Sequence, residues 1–326
     1  MLLTTLLFAL SHGPRVLYRE HTSTVAFSIA NRVDFIENMK VEPSLLEQAR
    51  SEVPGAADAQ HVASIAASVI ESLGIEPPID AKMVASFMGV AEIRRASSPW
   101  AGCIYEDNGR LVIQVRDTDP PRRQRFSAFH EVGHTFLPGF RLAPKYRCDP
   151  DAPKGNDEES FSDIAAAELL LPERFFRGDI GQASFGLDAV GELTQRYDAS
   201  FLATARRFVD LWAEDALLLV LEVMHKPADR KVAGAPPKLR VVYGHASGDW
   251  PFIPRYKSAR DDSALNSALL SGEVAAESDL DGLAPNASRL ELSAQLRPFV
   301  DADGAPHDRV IALYRRRVPT ANTRRQ

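Results

Sequence analysis

The run Phe129-His130-Glu131-Val132-Gly133-His134 has the form HExxH. Each residue of an α-helix turns the chain by about 100°, so His130 and His134 at i and i+4 lie within about 40° of one another and point at one place. Two imidazoles so placed suit a divalent metal, and Glu131 stands beside that metal without binding it, where a general base is wanted. The flanks support a helix. After Pro120-Pro121 the residues Phe126, Phe129, Val132, Gly133, Phe136 and Leu137 recur at i, i+3, i+4 and i+7, and Pro138-Gly139 ends the pattern. An apolar face of this kind holds the histidines rigidly at a core edge. The competing reading, two histidines on a solvated helix edge, does not account for aromatic and apolar residues crowding both sides.

A catalytic zinc site needs a third protein ligand and one open position for water. Downstream, Glu159-Ser160-Phe161-Ser162-Asp163 places two carboxylates one helical turn apart on a helix expected from Asp157 to Leu171 and closed by Pro172. Glu159 is the candidate ligand, and Asp163 would accept a hydrogen bond from the distal nitrogen of a ligating histidine. Glu158 is a rival for the ligand. Asn156-Asp157-Glu158-Glu159 also reads as a capping box with Glu159 at N3, a purely structural role for the same side chain.

At this point the chain resembles the ImmA/IrrE metallopeptidases. The resemblance is carried by Arg125 to His134, by Glu159 to Asp163, and by Ala165-Ala166-Ala167-Glu168-Leu169-Leu170-Leu171-Pro172. Matched position by position, it puts the ligating glutamate on Glu159 and the polar residue behind it on Asp163. Ser162, Ala165 and Leu171 depart from the family's usual Ala, Phe and Met and read as packing changes that leave the ligands intact. The likeness extends upstream through Gly74 to Asp80 and covers roughly residues 57 to 175. What it implies is a metal-dependent endopeptidase holding Zn²⁺, with Mn²⁺ as the alternative, and cutting an XRE-type helix-turn-helix repressor to release a stress-response or mobile-element regulon. It also implies a helix-turn-helix-like segment after the peptidase, matched by Val190 to Ser200 and Ala205 to Phe208, and then a GAF-like sensor domain.

Working outward, Asp107-Asn108-Gly109 joins two β-rich runs, 103–106 and 110–115, a hairpin signal because both central turn positions want positive φ. Helical periodicity marks 57–73 and 79–88, then two short amphipathic helices within 187–212. Residues 216–223 read as a buried strand, with further strand-like runs at 239–243 and 310–314 and acidic, Ser/Gly-rich loops such as 258–285. Arg315-Arg316-Arg317 reads as a solvated end. The long stretch 141–155 reads as a functional loop.

The expected organisation is therefore an α+β chain: an N-terminal extension (1–55), a mostly helical zincin-like metallopeptidase domain with a small β-hairpin or sheet (56–182), a helix-turn-helix-like segment (183–215) and a GAF-like α+β domain (216–326). Its function would be to cleave a repressor. The alternative is a sensory or DNA-binding regulator with a structural metal site, in which Arg196, Arg206 and Arg207 touch phosphates. Tyr146 and His245 are candidate oxyanion donors, each with an equally good structural role, and Cys148 is a surface cysteine or a thiolate occupying the open metal position.

Composition narrows the classes. The chain has 326 residues, 45% hydrophobic and 25% charged, with net charge −6 and two cysteines. That is enough apolar material for more than one core, no general basic field for nucleic acid or anionic membranes, and no disulfide framework. A reducing cytoplasm is the simplest compartment. The apolar start Leu2 to Leu10 lacks a preceding cation and a small-residue cleavage site and is half the length that spans a bilayer, so it reads as part of the extension.

Overall fold

A computed structural model describes residues 17–18, 25–26, 43–140, 145–147, 157–228, 234, 236–284, 290–300 and 305–316. Leu2 to Leu10, Cys148, Asn156 and Arg317 lie outside the described residues. The chain divides into two compact units, one running to Phe175 and including Arg196–Ala199, the other comprising Phe176–Gln195 and the chain from Ser200 onward.

In the first unit, α1 (Leu45–Glu52), α2 (Asp58–Leu73) and α3 (Ala81–Phe87) precede β1 (Val90–Ala96), β2 (Gly102–Asp107) and β3 (Arg110–Arg116). Then come α4 (Pro121–His134), β4 (Lys145–Arg147) and α5 (Asp157–Leu170). The sheet order is β1-β3-β2-β4, with β1 parallel to β3 and the other neighbours antiparallel. The β2–β3 hairpin turns at Asn108 and Gly109, whose φ values of 51° and 74° are both positive, as the sequence predicts. Pro121 occupies the first turn of α4, where its missing N–H costs nothing.

Helix α4 differs from its expectation in one respect. The apolar face predicts a helix at a core edge, yet every residue from Ser127 to His134 is buried. The cause is that α4 packs on one side against β2 and β3 and on the other against α5, where Gly133 meets Ser162 and Ala165. A helix covered on both sides holds its polar residues inside the protein, which requires that each has a chemical reason to be there. The stretch 141–155, expected as a functional loop between α4 and α5, contains β4, which pairs with β2 in the register Gly102–Arg147, Cys103–Tyr146, Ile104–Lys145.

The second unit begins in α6 (Glu173–Ile180), which the sequence reading did not anticipate, and contains α7 (Leu187–Arg196) and α8 (Phe201–Leu211), the two short helices expected. Its sheet is formed by β5 (Ala216–Met224), β6 (Lys238–Ala246), β7 (Glu273–Ser278), β8 (Leu290–Leu296) and β9 (Arg309–Arg316), in the antiparallel order β6-β5-β9-β8-β7. The sheet and α9 (Ala264–Ser271) share one core that includes Leu219, Leu221, Leu265, Leu292 and Tyr314. This is the α+β class expected. Two details differ. The segment read as loops holds α9, started by Ser263, whose side chain accepts from Asn266 N, and β7, whose small residues Ala275 and Ala276 give no hydrophobic alternation to read. Arg315 and Arg316 belong to β9 rather than a solvated end. Arg315 is tied to Glu291 at 2.8 Å and Glu214 at 3.2 Å. No helix among the described residues is long and apolar enough to cross a membrane.

Candidate metal centre

Helices α4 and α5 meet at Gly133. A Cβ at this position would lie 2.9 Å from Ser162 Cα and 3.0 Å from both Ala165 Cβ and Ser162 O. Only glycine opposite small residues lets the two helices approach this closely. On α5, Glu159, Ser162 and Asp163 at i, i+3 and i+4 share one face, and it is this face that the approach brings to the histidines. His130 Nε2 lies 3.2 Å from Glu159 Oε2 and His134 Nε2 lies 3.5 Å from Glu159 Oε1. One donor atom from each of His130, His134 and Glu159 falls within 4.8 Å of the others. Glu158, the rival, is not in this group.

The far nitrogens explain why a cation suits the place. His130 Nδ1 is 2.8 Å from Asp163 Oδ1, and since an ionised carboxylate only accepts, Nδ1 donates and Nε2 carries the lone pair toward Glu159. Lone pair facing carboxylate at 3.2 Å is repulsive unless a proton or metal lies between. When protons rather than a metal fill that gap, burial pushes the Glu159 carboxyl up, but the hydrogen bond from His130 and the charge of the two imidazoles outweigh it and hold the group below its ordinary pKa. Two nitrogens and a carboxylate oxygen are the donor set of a catalytic zinc site, so the residues present fit a divalent metal.

Ser162 was missed as a site residue. Its substitution for the family's Ala reads from sequence as packing, but its Oγ is 3.1 Å from His134 Nδ1 and it is fully buried. Both imidazoles are thus oriented through Nδ1, one by a carboxylate and one by a hydroxyl. The available signal was its place on the Glu159–Asp163 face. We expect Ser162→Ala and Asp163→Ala each to weaken metal binding by about 10–100-fold, measured by competition with a chromophoric chelator.

Glu131 is fully buried on the sheet side of α4. Its Oε1 lies 2.6 Å from where a Cβ on Gly102 would be, so β2 accommodates the carboxylate only because residue 102 has no side chain. Next to it, burial, and secondarily the charge of Glu131, push the Cys103 thiol up to about 11. The native protein should therefore resist iodoacetamide at pH 8 at Cys103 and accept it there after denaturation, read by peptide mass spectrometry.

The other candidates are placed as follows. Tyr146 lies in β4, paired through its backbone with Cys103. His245 belongs to the second unit, where its Nε2 is 2.5 Å from Asp210 Oδ1. Arg206, on α8, stacks over Tyr243 at 5.9 Å.

Residues 94–209 match the family described as Peptidase_M78, IrrE N-terminal-like domain. Within that span the chain carries an IrrE N-terminal-like domain. The match includes the whole of α4 and α5 and with them His130, Glu131, His134, Glu159, Ser162 and Asp163. A solved structure of a Mycobacterium tuberculosis transcriptional regulator shares the fold, with a TM-score of 0.53 and 12% identity over 78% of this chain and 76% of that one. At that identity the likeness concerns the fold alone. None of the curated proteins matches the chain. The ImmA/IrrE assignment supports an IrrE-type metallopeptidase or regulator, and the metal and substrate have to be argued from the site.

Proposed function

We propose that this chain is a metal-dependent endopeptidase in which His130, His134 and Glu159 hold Zn²⁺ and Glu131 is the general base. The observation that carries the proposal is the convergence of three metal-ligating atoms within 4.8 Å on two packed helices, with Glu131 adjacent on the same helix. A bound zinc ion supplies a lowered water pKa and polarises a substrate carbonyl. Glu131 accepts the proton of the attacking water and delivers it to the leaving amine. Asp163 and Ser162 keep both Nε2 lone pairs directed at the shared point. Burial of His130, Glu131 and His134 keeps competing water from the histidines and leaves Glu131 in a low-dielectric setting where proton transfer is effective. Mn²⁺ is the alternative metal, since nitrogen and oxygen donors accept either.

The substrate in this proposal is an XRE-type helix-turn-helix repressor, cut in the cytoplasm to switch on a stress-response or mobile-element regulon, with the second unit as the sensor. The deciding experiment is elemental analysis of wild type beside His130→Ala and Glu159→Ala, with a cleavage assay on the repressor encoded next to this gene. Stoichiometric zinc or manganese, lost in both variants together with cleavage, is the expected result. Wild type that takes up no metal from metal-replete medium would overturn it. Metal retained without cleavage of any such repressor would favour the regulator with a structural site.

A further inference from the structure

A second feature of the first unit lies away from the metal. Strand β1 is the edge of its sheet, and among the described residues no backbone hydrogen bond reaches residues 91–95 from the side opposite β3. A groove of about 860 Å³ runs beside it, bounded by the start of α3, the first half of α4 and Asp198. Glu92, Ile93, Arg94 and Arg95 all line it. Four consecutive residues of one strand alternate between two faces, so a groove that meets all four meets the strand's open edge.

The charges in the groove are unequally matched. Its acids are all engaged: Glu92 with Arg94 at 3.0 Å, Asp198 with Arg122 at 3.1 Å and Arg125 at 3.4 Å, and Asp80 with the backbone N of Lys82 at 2.8 Å. Arg94 and Arg125 are spent in those contacts, Arg94 also on Asp107 and Arg125 also on the carbonyls of Ile79 and Tyr197. Lys82 and Arg95 line the groove, are exposed, and have no ion-pair partner among the described residues. Gln124 adds a third open function. It is only 7% exposed, its amide nitrogen donates to the carbonyls of Asp117 and Asp119, and its buried Oε1 accepts from no group among the described residues.

We infer that this groove is a docking site for an extended acidic segment of a partner protein, which adds as a strand to β1 and places its carboxylates against Lys82 and Arg95. Edge pairing supplies backbone affinity, the cations select sign, and a backbone or side-chain N–H of the segment serves Gln124 Oε1. The inference rests on the endopeptidase reading in one respect, that the partner is the protein to be cut, held on one edge of the sheet while α4 packs on β2 and β3.

The test uses binding, not cleavage, so that its outcome stands apart from the peptidase proposal. Full-length protein stripped of metal is titrated by fluorescence anisotropy into a labelled octapeptide alternating glutamate with valine or threonine. Its lysine counterpart and a version N-methylated at alternate residues are titrated in parallel. We expect the acidic peptide to bind, N-methylation to abolish binding, and the double variant Lys82→Glu, Arg95→Glu to weaken it by about tenfold and admit the lysine peptide. Both substitutions are at exposed positions, and an unchanged melting curve certifies the fold. Equal or absent binding of the two peptides, or indifference to the double reversal, would overturn the inference and leave the charges as protection of an edge strand against aggregation. Wild type that takes up no metal, or absent repressor cleavage, would defeat the peptidase proposal while leaving this binding result in place.

Discussion

Glu131→Gln is expected to leave metal content at the wild-type level and to lower repressor cleavage by about 10²–10⁴-fold, the range of a positioned general base. The amide has the shape of the carboxylate, so it fits the same space against Gly102, where the native Oε1 sits 2.6 Å from the position a Cβ would take. It cannot take a proton from water. Because Glu131 is not one of the three clustered donors, the metal has no reason to leave. Elemental analysis and a cleavage time course on the same preparation separate the outcomes. Cleavage retained would remove Glu131 from the chemistry, and metal lost with cleavage would make it structural. A companion signal is local: with the Glu131 charge gone, the Cys103 thiol should titrate lower than in wild type, since that charge is the second cause of its elevation after burial.

Gly133→Ala is expected to destabilise the first unit by about 1–3 kcal/mol and to abolish tight metal binding. The added methyl meets Ser162 Cα at 2.9 Å and Ser162 O at 3.0 Å, and both are backbone atoms that cannot swing aside. Relief requires α5 to move away from α4. Glu159, Ser162 and Asp163 would move with it, and all their contacts to the histidines, at 2.8 to 3.5 Å, would lengthen together. Ser162→Gly in the same chain does not relieve the clash, because the obstacles are main chain; that double variant should behave like the single one. Urea unfolding monitored by circular dichroism, beside chelator competition for the metal, measures both effects. Stability and metal affinity both unchanged would mean that the close approach does not set the site.

Much of the site was legible because its spacing is local. His130, Glu131 and His134 occupy one turn of one helix, and Glu159 and Asp163 are one turn apart on another, so helical geometry alone pairs them. The choice of Glu159 over Glu158 needed the family resemblance; in the structure Glu159 stands within 3.5 Å of both imidazoles. Ser162 was illegible as a partner of His134, since the two lie 28 positions apart and a serine among alanines looks like packing. In the second unit β8 alternates Leu290, Leu292 and Ala294 inward, a signal that was present, whereas β7 has only Val274 as a large apolar residue and is held by its register with β8.

The sequence by itself determined the helix of His130, Glu131 and His134, the second acidic helix, the hairpin at Asn108-Gly109 and the α+β class. Each rests on interactions between residues within a few positions of one another: helical phase, turn conformation, hydrophobic period. Only the tertiary structure decided that α4 is buried on both sides, that Gly102 makes room for Glu131, that Gly133 sets the distance to α5, and that β1 has an edge unpaired among the described residues beside Lys82 and Arg95. These depend on excluded volume and hydrogen bonding between segments far apart in the chain, which leave no periodic trace in the order of the residues.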